Sequence, residues 1–335
     1  MSETLLPSIW FFLWGLVWAI YFSLDGFNLG VGMLAGFLPQ TEQKKLISSL
    51  GPFWDGNQVW LITAGGVTFA AFPKLYAVMF SSLYLPLIII LLSLVFRAVA
   101  IEFYHQSKNR SWQKMWASTL SVGSFLVALL FGVAFGNIFQ GLLLDNTGYH
   151  GSIFSLLNPY GILTGILFVL IFAYNGSLWF AYKTGSEKGF TIAKRIYLPL
   201  LLVAVLFLIY TVFATNLWSN FLGLPLLFVV PLLAVVSLLA TRMLLGRGQA
   251  AGSLLAGSLT VLLTVVTCVI GLFPNMFPSK INPVYSLTAF NASSSPYTLK
   301  IMLVVTIIFL PMVLVYQIWH YKLFAPARVD EESPY

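Results

Sequence analysis

The chain has 335 residues, of which 59% are hydrophobic and 8% charged, against about 25% charged in ordinary soluble domains. Those proportions exclude a soluble globular enzyme, and the net charge of +7 is a membrane-topology signal that gives a nucleic-acid reading little support. Cys268 is the only cysteine, so no intramolecular disulfide can form and nothing resembles a cysteine-based metal site.

A bilayer core about 30 Å thick is crossed by a helix of about 20 mostly apolar residues. Nine such segments can be laid along the chain, at 9–36, 57–73, 78–103, 116–140, 160–182, 196–217, 222–241, 253–273 and 299–321. The second is short, so eight is the alternative count. The expected fold class is therefore all-α: one polytopic integral-membrane domain over 1–335. Helices one to four (1–140) are Gly-rich and carry intramembrane acids, helices five to nine follow over 160–323, and 324–335 is expected to be a mobile cytoplasmic tail. The leader MSETLLPS carries Glu3 and no basic residue, unlike a secretory signal, so the first span is expected to persist in the mature protein.

With nine crossings, Lys44, Lys45, Arg97, Lys108, Arg110, Lys114, Lys183, Lys188, Lys194, Arg195, Arg242, Arg247, Lys322 and Arg328 fall on one side, and only Lys74, Lys280 and Lys300 on the other. Because cytoplasmic loops collect Lys and Arg, the N-terminus is expected outside and the C-terminus in the cytoplasm.

The first span opens with Trp10, Trp14 and Trp18, spaced four apart and read as membrane-belt residues. Further along, "SLDGFNLGVGML" places Asp25 in the cytoplasmic half of the span, with Asn28 one turn on as a partner. The second span follows "GPFWDGNQVW", with Asp55 set between Trp54 and Trp60 and followed by Asn57 and Gln58. The third span ends in "FRAVAIEFYH", which returns Arg97 and Glu102 toward the same face. Three consecutive helices thus supply three acids and an arginine to one side of the membrane, where an ionisable residue by default faces a cavity or a partner. Each also has a plainer reading. Asp55 and Gln58 have the spacing of a helix-capping arrangement, Glu102 could anchor at the interface, and Asp25 could be structural. Gly26 with Gly30, Gly32 with Gly36, Gly132 with Gly136 and Gly161 with Gly165 have the spacing that lets helices approach closely, within a tight bundle or against a partner helix.

Spans six and seven are almost purely Leu, Val and Phe, suited to lipid or to passive packing. The stretch 273–300 is expected to be an external loop or short surface helix. His105, His150 and His320 all fall at helix ends or in a loop, so a haem ligated wholly within this chain is not expected.

The strings "GPFWDGNQVWLITAGGVTFAAFP", "SLDGFNLGVGML" and "FRAVAIEF" together resemble subunit II of the cytochrome bd-type ubiquinol oxidases, a group that includes cyanide-insensitive relatives. The chain departs from the family pattern after "FRAVAIEF", where Tyr104 and His105 stand in place of a frequent arginine. The resemblance implies a respiratory complex in the bacterial inner membrane. Its partner subunit I carries haems b and d and the quinol site, and a small single-helix subunit often joins. Subunit II itself would bind no haem, and a structural quinone is a further ligand the resemblance implies. By the same analogy, Asp25 and Asp55, with Glu102 at the rim, would line a proton route, supported by Asn28, Trp54, Asn57, Gln58 and Arg97. The competing class is a cation-coupled secondary transporter or channel, which broken Gly-rich helices around a membrane-embedded aspartate would also suit.

Overall fold

The computed structural model describes residues 4–324, so the tail beyond 324 lies outside the described residues. A long first helix, α1 (Leu5–Ala35), is followed by a short polar helix, α2 (Gln40–Ser48). Then come α3 (Trp54–Ala71), α4 (Pro73–Ser82), α5 (Tyr84–Tyr104) and α6 (Arg110–Gln140). A hairpin of β1 (Leu144–Asp145) and β2 (Gly148–Tyr149) and one turn of helix, α7 (Ile153–Leu156), lead into α8 (Pro159–Thr184) and α9 (Glu187–Ala214). After α10 (Ser219–Gly223) and a 3₁₀ turn at Pro225–Phe228 come α11 (Val229–Gly246) and α12 (Ala250–Leu272). The pair β3 (Asn275–Phe277) and β4 (Leu287–Thr288) precedes the last helix, α13 (Pro296–Phe324).

The boundaries follow local chemistry. Asn109, Asn158 and Ser186 cap α6, α8 and α9 by accepting backbone N–H groups of Ser111, Gly161 and Lys188. Pro159 takes the first position of α8, and Gly185 ends that helix in the left-handed conformation at φ 65°. Pro73 has no N–H to continue α3, which stops at Ala71, and α4 restarts on the proline.

Among the described residues, eight helices are long and apolar enough to cross a membrane. The second expected span, α3, is less apolar, yet its contacts show that it crosses the full depth of the bundle. At one end Asn57 bonds Tyr321 and Gln317 near the close of α13; at the other, Ser294 N–H donates to the Ala71 carbonyl just before α13 begins. Its 18 residues rise about 27 Å between these points. With α3 added to these eight, nine crossings among the described residues alternate in direction. The loops at one end, hereafter the basic end, carry most of the Lys and Arg; a Lys188–Glu42 ion pair at 3.6 Å joins two of them.

The bundle centres on α1, which packs against α3, α6, α8 and α12. All four small-residue pairs act within the chain. Gly26 and Gly30 lie against Phe172 and Gly176 of α8, and Gly32 and Gly36 against Ser124 and Ser121 of α6. Gly132 and Gly136 of α6 meet Gly165, Thr164 and Gly161 of α8. The three tryptophans of α1 are core residues rather than belt residues. Trp10 and Trp14 bury themselves by donating their indole N–H groups to the Leu299 carbonyl and Thr68 Oγ1, and Trp18 stacks on Phe22. By contrast α9, α11 and α13 present mostly exposed apolar faces. The stretch 273–300, expected as an external loop or short surface helix, is a loop that pairs β3 with β4 around a 3₁₀ turn at Pro283–Tyr285 before α13 begins at Pro296. Third-span residues 78–82 belong to α4, separated from α5 at Leu83.

A buried ion pair and the candidate functional site

Asp25 lies about two-thirds of the way along α1, ten residues before its end and so about 15 Å from it. Arg97 lies on α5, seven residues before its end. Their side chains meet, although each is 0% exposed. Arg97 donates through Nη2 to Asp25 Oδ1 at 3.0 Å and through Nη1 to Oδ2 at 3.2 Å, the two-pronged match of guanidinium to carboxylate. Asn28, one turn beyond Asp25, adds a bond from Nδ2 to Oδ1 at 3.0 Å. The lone charge that membrane burial would penalise heavily is thus a compensated pair held by three hydrogen bonds.

Asn57 ties a third and a fourth helix to this point. Fully buried on α3, it donates from Nδ2 to the Leu24 carbonyl, next to Asp25. Its Oδ1 accepts from Tyr321 Oη at 3.0 Å and Gln317 Nε2 at 3.2 Å, both on α13. The buried face of α3 repeats at Asn57, Trp60, Ala64, Thr68 and Ala71, the spacing of one helical stripe.

Asp55 takes the opposite face. It is exposed at the basic end of α3, in line with exposed Val59, Ile62, Gly66 and Phe69. It is not the cap that its spacing to Gln58 predicts. Phe53 occupies the cap position without a side-chain cap bond, and Asp55 sits in the first turn, accepting from the N–H of Gly56 at 2.7 Å. A carboxylate there still complements the helix dipole. Gln58 is partly buried, its Nε2 meeting no protein acceptor, and Trp54 packs on the Phe27–Leu46–Phe53 cluster. Glu102 is exposed at the end of α5. The sequence-predicted group therefore divides: Asp25, Asn28, Arg97 and Asn57 converge, whereas Asp55 and Glu102 stand at the rim.

Three participants were not expected. Tyr21, four residues before Asp25 and so on the same face of α1, is fully buried; the i, i+4 rule applied to Asp25 would have found it. Tyr321 and Gln317 carry no sequence signal, because only the fold brings α13 to α3. Lys183 near the end of α8 is also buried, donating to the Phe324 carbonyl at 3.0 Å and lying 5.7 Å from the ring centre of Phe53.

The histidines lie elsewhere. His105 caps α5, with Nε2 3.4 Å from Ser48 Oγ; burial first, and the Lys44 charge second, hold its pKa below the ordinary histidine value, with Glu102 opposing. His150 pairs with Asp145 in the β1–β2 hairpin, and His320 packs among Phe53, Tyr321 and Phe324. No group of three or more His, Cys, Asp or Glu able to hold a metal occurs among the described residues.

Between α8, α9, α11 and α12 the second half forms a half-open apolar cavity of about 430 Å³, lined by Phe22, Leu167, Phe168, Leu200, Val261 and Cys268 among others. The hydroxyls of Thr260 and Thr264 at its wall are spent on carbonyls of their own helix.

A polytopic helical bundle with a compensated ion pair in its interior and exposed apolar flanking helices defines a membrane-embedded subunit. Residues 6–324 match the family model described as cytochrome bd terminal oxidase subunit II. The chain is 34% identical to cytochrome bd-I ubiquinol oxidase subunit 2 of Escherichia coli K12, over 98% of its own length and 96% of that protein's. It is 33% identical to cytochrome bd ubiquinol oxidase subunit 2 of Bacillus subtilis, over 98% of each. Its fold is similar to a chain in the structure of bd oxidase from Geobacillus thermodenitrificans, with a TM-score of 0.77 at 17% identity, covering 95% of this chain and 98% of that one. The chain belongs to the cytochrome bd terminal oxidase subunit II family. It is accordingly a multi-pass membrane subunit of a bacterial respiratory oxidase, with a subunit I as partner, and the family assignment favours this over a cation-coupled carrier.

Proposed function

We propose that this chain supports the haem-bearing subunit I of a quinol:dioxygen oxidoreductase and supplies part of the path by which cytoplasmic protons reach the oxygen-reducing site. The observation that carries the reading is the Asp25–Arg97 pair: a carboxylate kept deep in the membrane by a fixed counter-charge, on the basic-end side of α1. In this reading the basic end faces the cytoplasm and the N-terminus lies outside, in the bacterial inner membrane. Asp55 and Glu102 collect protons at the rim, Asp25 receives them further in, and Asn28, Trp54, Asn57, Gln58 and Arg97 hold the geometry. Haems b and d reside in subunit I, supply the redox chemistry there, and take no ligand from this chain.

Subunit I would cover the outward face of α3, where a side chain added at Gly56, Gly65 or Gly66 meets nothing within 4 Å. Asp55 would then stand at the subunit boundary. A small single-helix subunit completes the assembly against the remaining apolar faces. The 430 Å³ cavity suits the isoprenoid tail of a structural quinone, because its wall is largely apolar and its threonines are already bonded, with the unpartnered Trp218 indole N–H as a donor on its wall.

The test is Asp25→Asn, Asp55→Asn and Glu102→Gln in the intact complex, reconstituted in vesicles and assayed for quinol-driven oxygen consumption and proton uptake. Slowed uptake in Asp25→Asn with unchanged haem spectra is the expected result. Normal turnover in all three, at normal haem content, overturns the reading.

A further inference from the structure

Three polar atoms around the Asp25 carboxylate have no hydrogen-bond partner in the protein: Tyr21 Oη, Asn28 Oδ1 and Arg97 Nε. All three residues are fully buried. Asn28 and Arg97 each bond Asp25 through their other polar atoms. Tyr21 lies one turn away on the same helix face, where its hydroxyl feels the charges of Asp25 and Arg97 and approaches the Asp25 carboxylate without meeting hydrogen-bond geometry. Polar groups left dry in a bundle core are strongly disfavoured, and native structures meet them with protein or water.

The inventory of unmet capacity is specific. Arg97 Nε can only donate, Asn28 Oδ1 can only accept, and the Tyr21 hydroxyl can do both. That combination excludes an anion, which would leave Asn28 unmet, and a metal cation, which Arg97 would repel. It fits water, which needs two to four polar partners and supplies both donors and acceptors. Ser124 Oγ, also fully buried and unpartnered, lies on α6 against Gly32, one turn beyond Asn28 toward the basic end. With Trp18 Nε1 one turn before Tyr21, the unmet groups form a stripe along α1 that passes Asp25 on both sides.

We infer that ordered water occupies the space bounded by Tyr21, Asn28 and Arg97 against Asp25, and that Tyr21 is a positioning residue holding that water on the carboxylate. The water site stands on the buried atoms alone; the role of Tyr21 in turnover rests on the proton-route reading above.

The experiment is a high-resolution electron cryomicroscopy map of the intact complex, paired with Tyr21→Phe, which removes only the hydroxyl. The map is expected to show water within hydrogen-bonding distance of at least two of the three atoms. Tyr21→Phe is expected to lower kcat about fivefold, as loss of one hydrogen bond would, with an unchanged KM for quinol, unchanged haem spectra and an enlarged solvent deuterium isotope effect. A map in which these atoms are dry, or paired with each other, with Asp25 directly or with subunit I, overturns the water site. A Tyr21→Phe enzyme with unaltered kcat and isotope effect, or one whose haem content falls in step with its activity, overturns the positioning role. Normal turnover in Asp25→Asn beside a hydrated map would sink the proton route and leave the water site standing.

Discussion

Removing one member of a buried ion pair leaves the other charge uncompensated and costs about 3–5 kcal/mol, whereas replacing both by apolar side chains of similar volume is often neutral or stabilising. The Asp25–Arg97 pair allows these effects to be separated from function. Asp25→Asn should lower the denaturation midpoint of the complex in detergent, and Asp25→Leu combined with Arg97→Met should recover most of that loss while proton uptake stays slow. Restored uptake in the double variant would make the pair structural only. At the α5–α6 corner, His105 has its pKa lowered by burial first and the Lys44 charge second, with Glu102 opposing. Its pKa is lower folded than unfolded, so its contribution is present above the ordinary histidine value of about 6.5 and is lost as pH falls through the folded value. Protection factors over residues 103–110, that is amide exchange rates divided by the intrinsic rate at each pH, should fall between pH 7.5 and pH 5.5, and His105→Gln should remove that dependence. Each charged residue was legible in the sequence as an anomaly in an apolar run. Their pairing was not, because Asp25 and Arg97 are 72 residues apart and nothing local fixes which helices touch.

Among the helices, the closest approach is between α1 and α8. A Cβ on Gly30 would strike the Phe172 carbonyl, and one on Gly176 would strike the backbone of Gly30. Neither backbone can yield without separating the helices, so Gly30→Ala or Gly176→Ala should cost about 1–3 kcal/mol as overpacking does. Gly223→Ala in α10 should be tolerated, since it meets open space, has no positive φ and alanine is the better helix former. Thermal midpoints of the three purified variants decide this. The small-residue spacing was readable; which helix each pair would meet was not. The split of α3 from α4 followed from Pro73, a signal that hydropathy averaging smooths over. The tryptophans of α1 illustrate a different limit: periodicity placed them on one face, but a belt and a core face look alike until the neighbouring helices are known.

For the molecule as a whole, hydropathy and the distribution of Lys and Arg were enough for nine crossings and their alternation, because lipid allows no other spanning structure for so apolar a chain. The orientation can be measured directly. Cys268 is buried, so background labelling is low. Thr147→Cys should react with an impermeant maleimide from outside intact cells, and Lys188→Cys only from inside; the reverse pattern would invert the proposed topology. Gly66→Leu, on the open face of α3, should leave the chain inserted while reducing the subunit I that co-purifies with it. Unchanged co-purification would mean that subunit I docks elsewhere.

The last helix joins the first part of the chain at two separated points, Leu299 with Trp10 near one membrane surface and Tyr321 and Gln317 with Asn57 near the other. Ribosomal synthesis delivers that helix after all the segments it completes. Until it arrives, Trp10 and the Asn57 carbonyl oxygen lack these partners, so a nascent subunit cannot finish its own centre. The contacts that close both ends of the bundle therefore form only after α13 has been made and inserted.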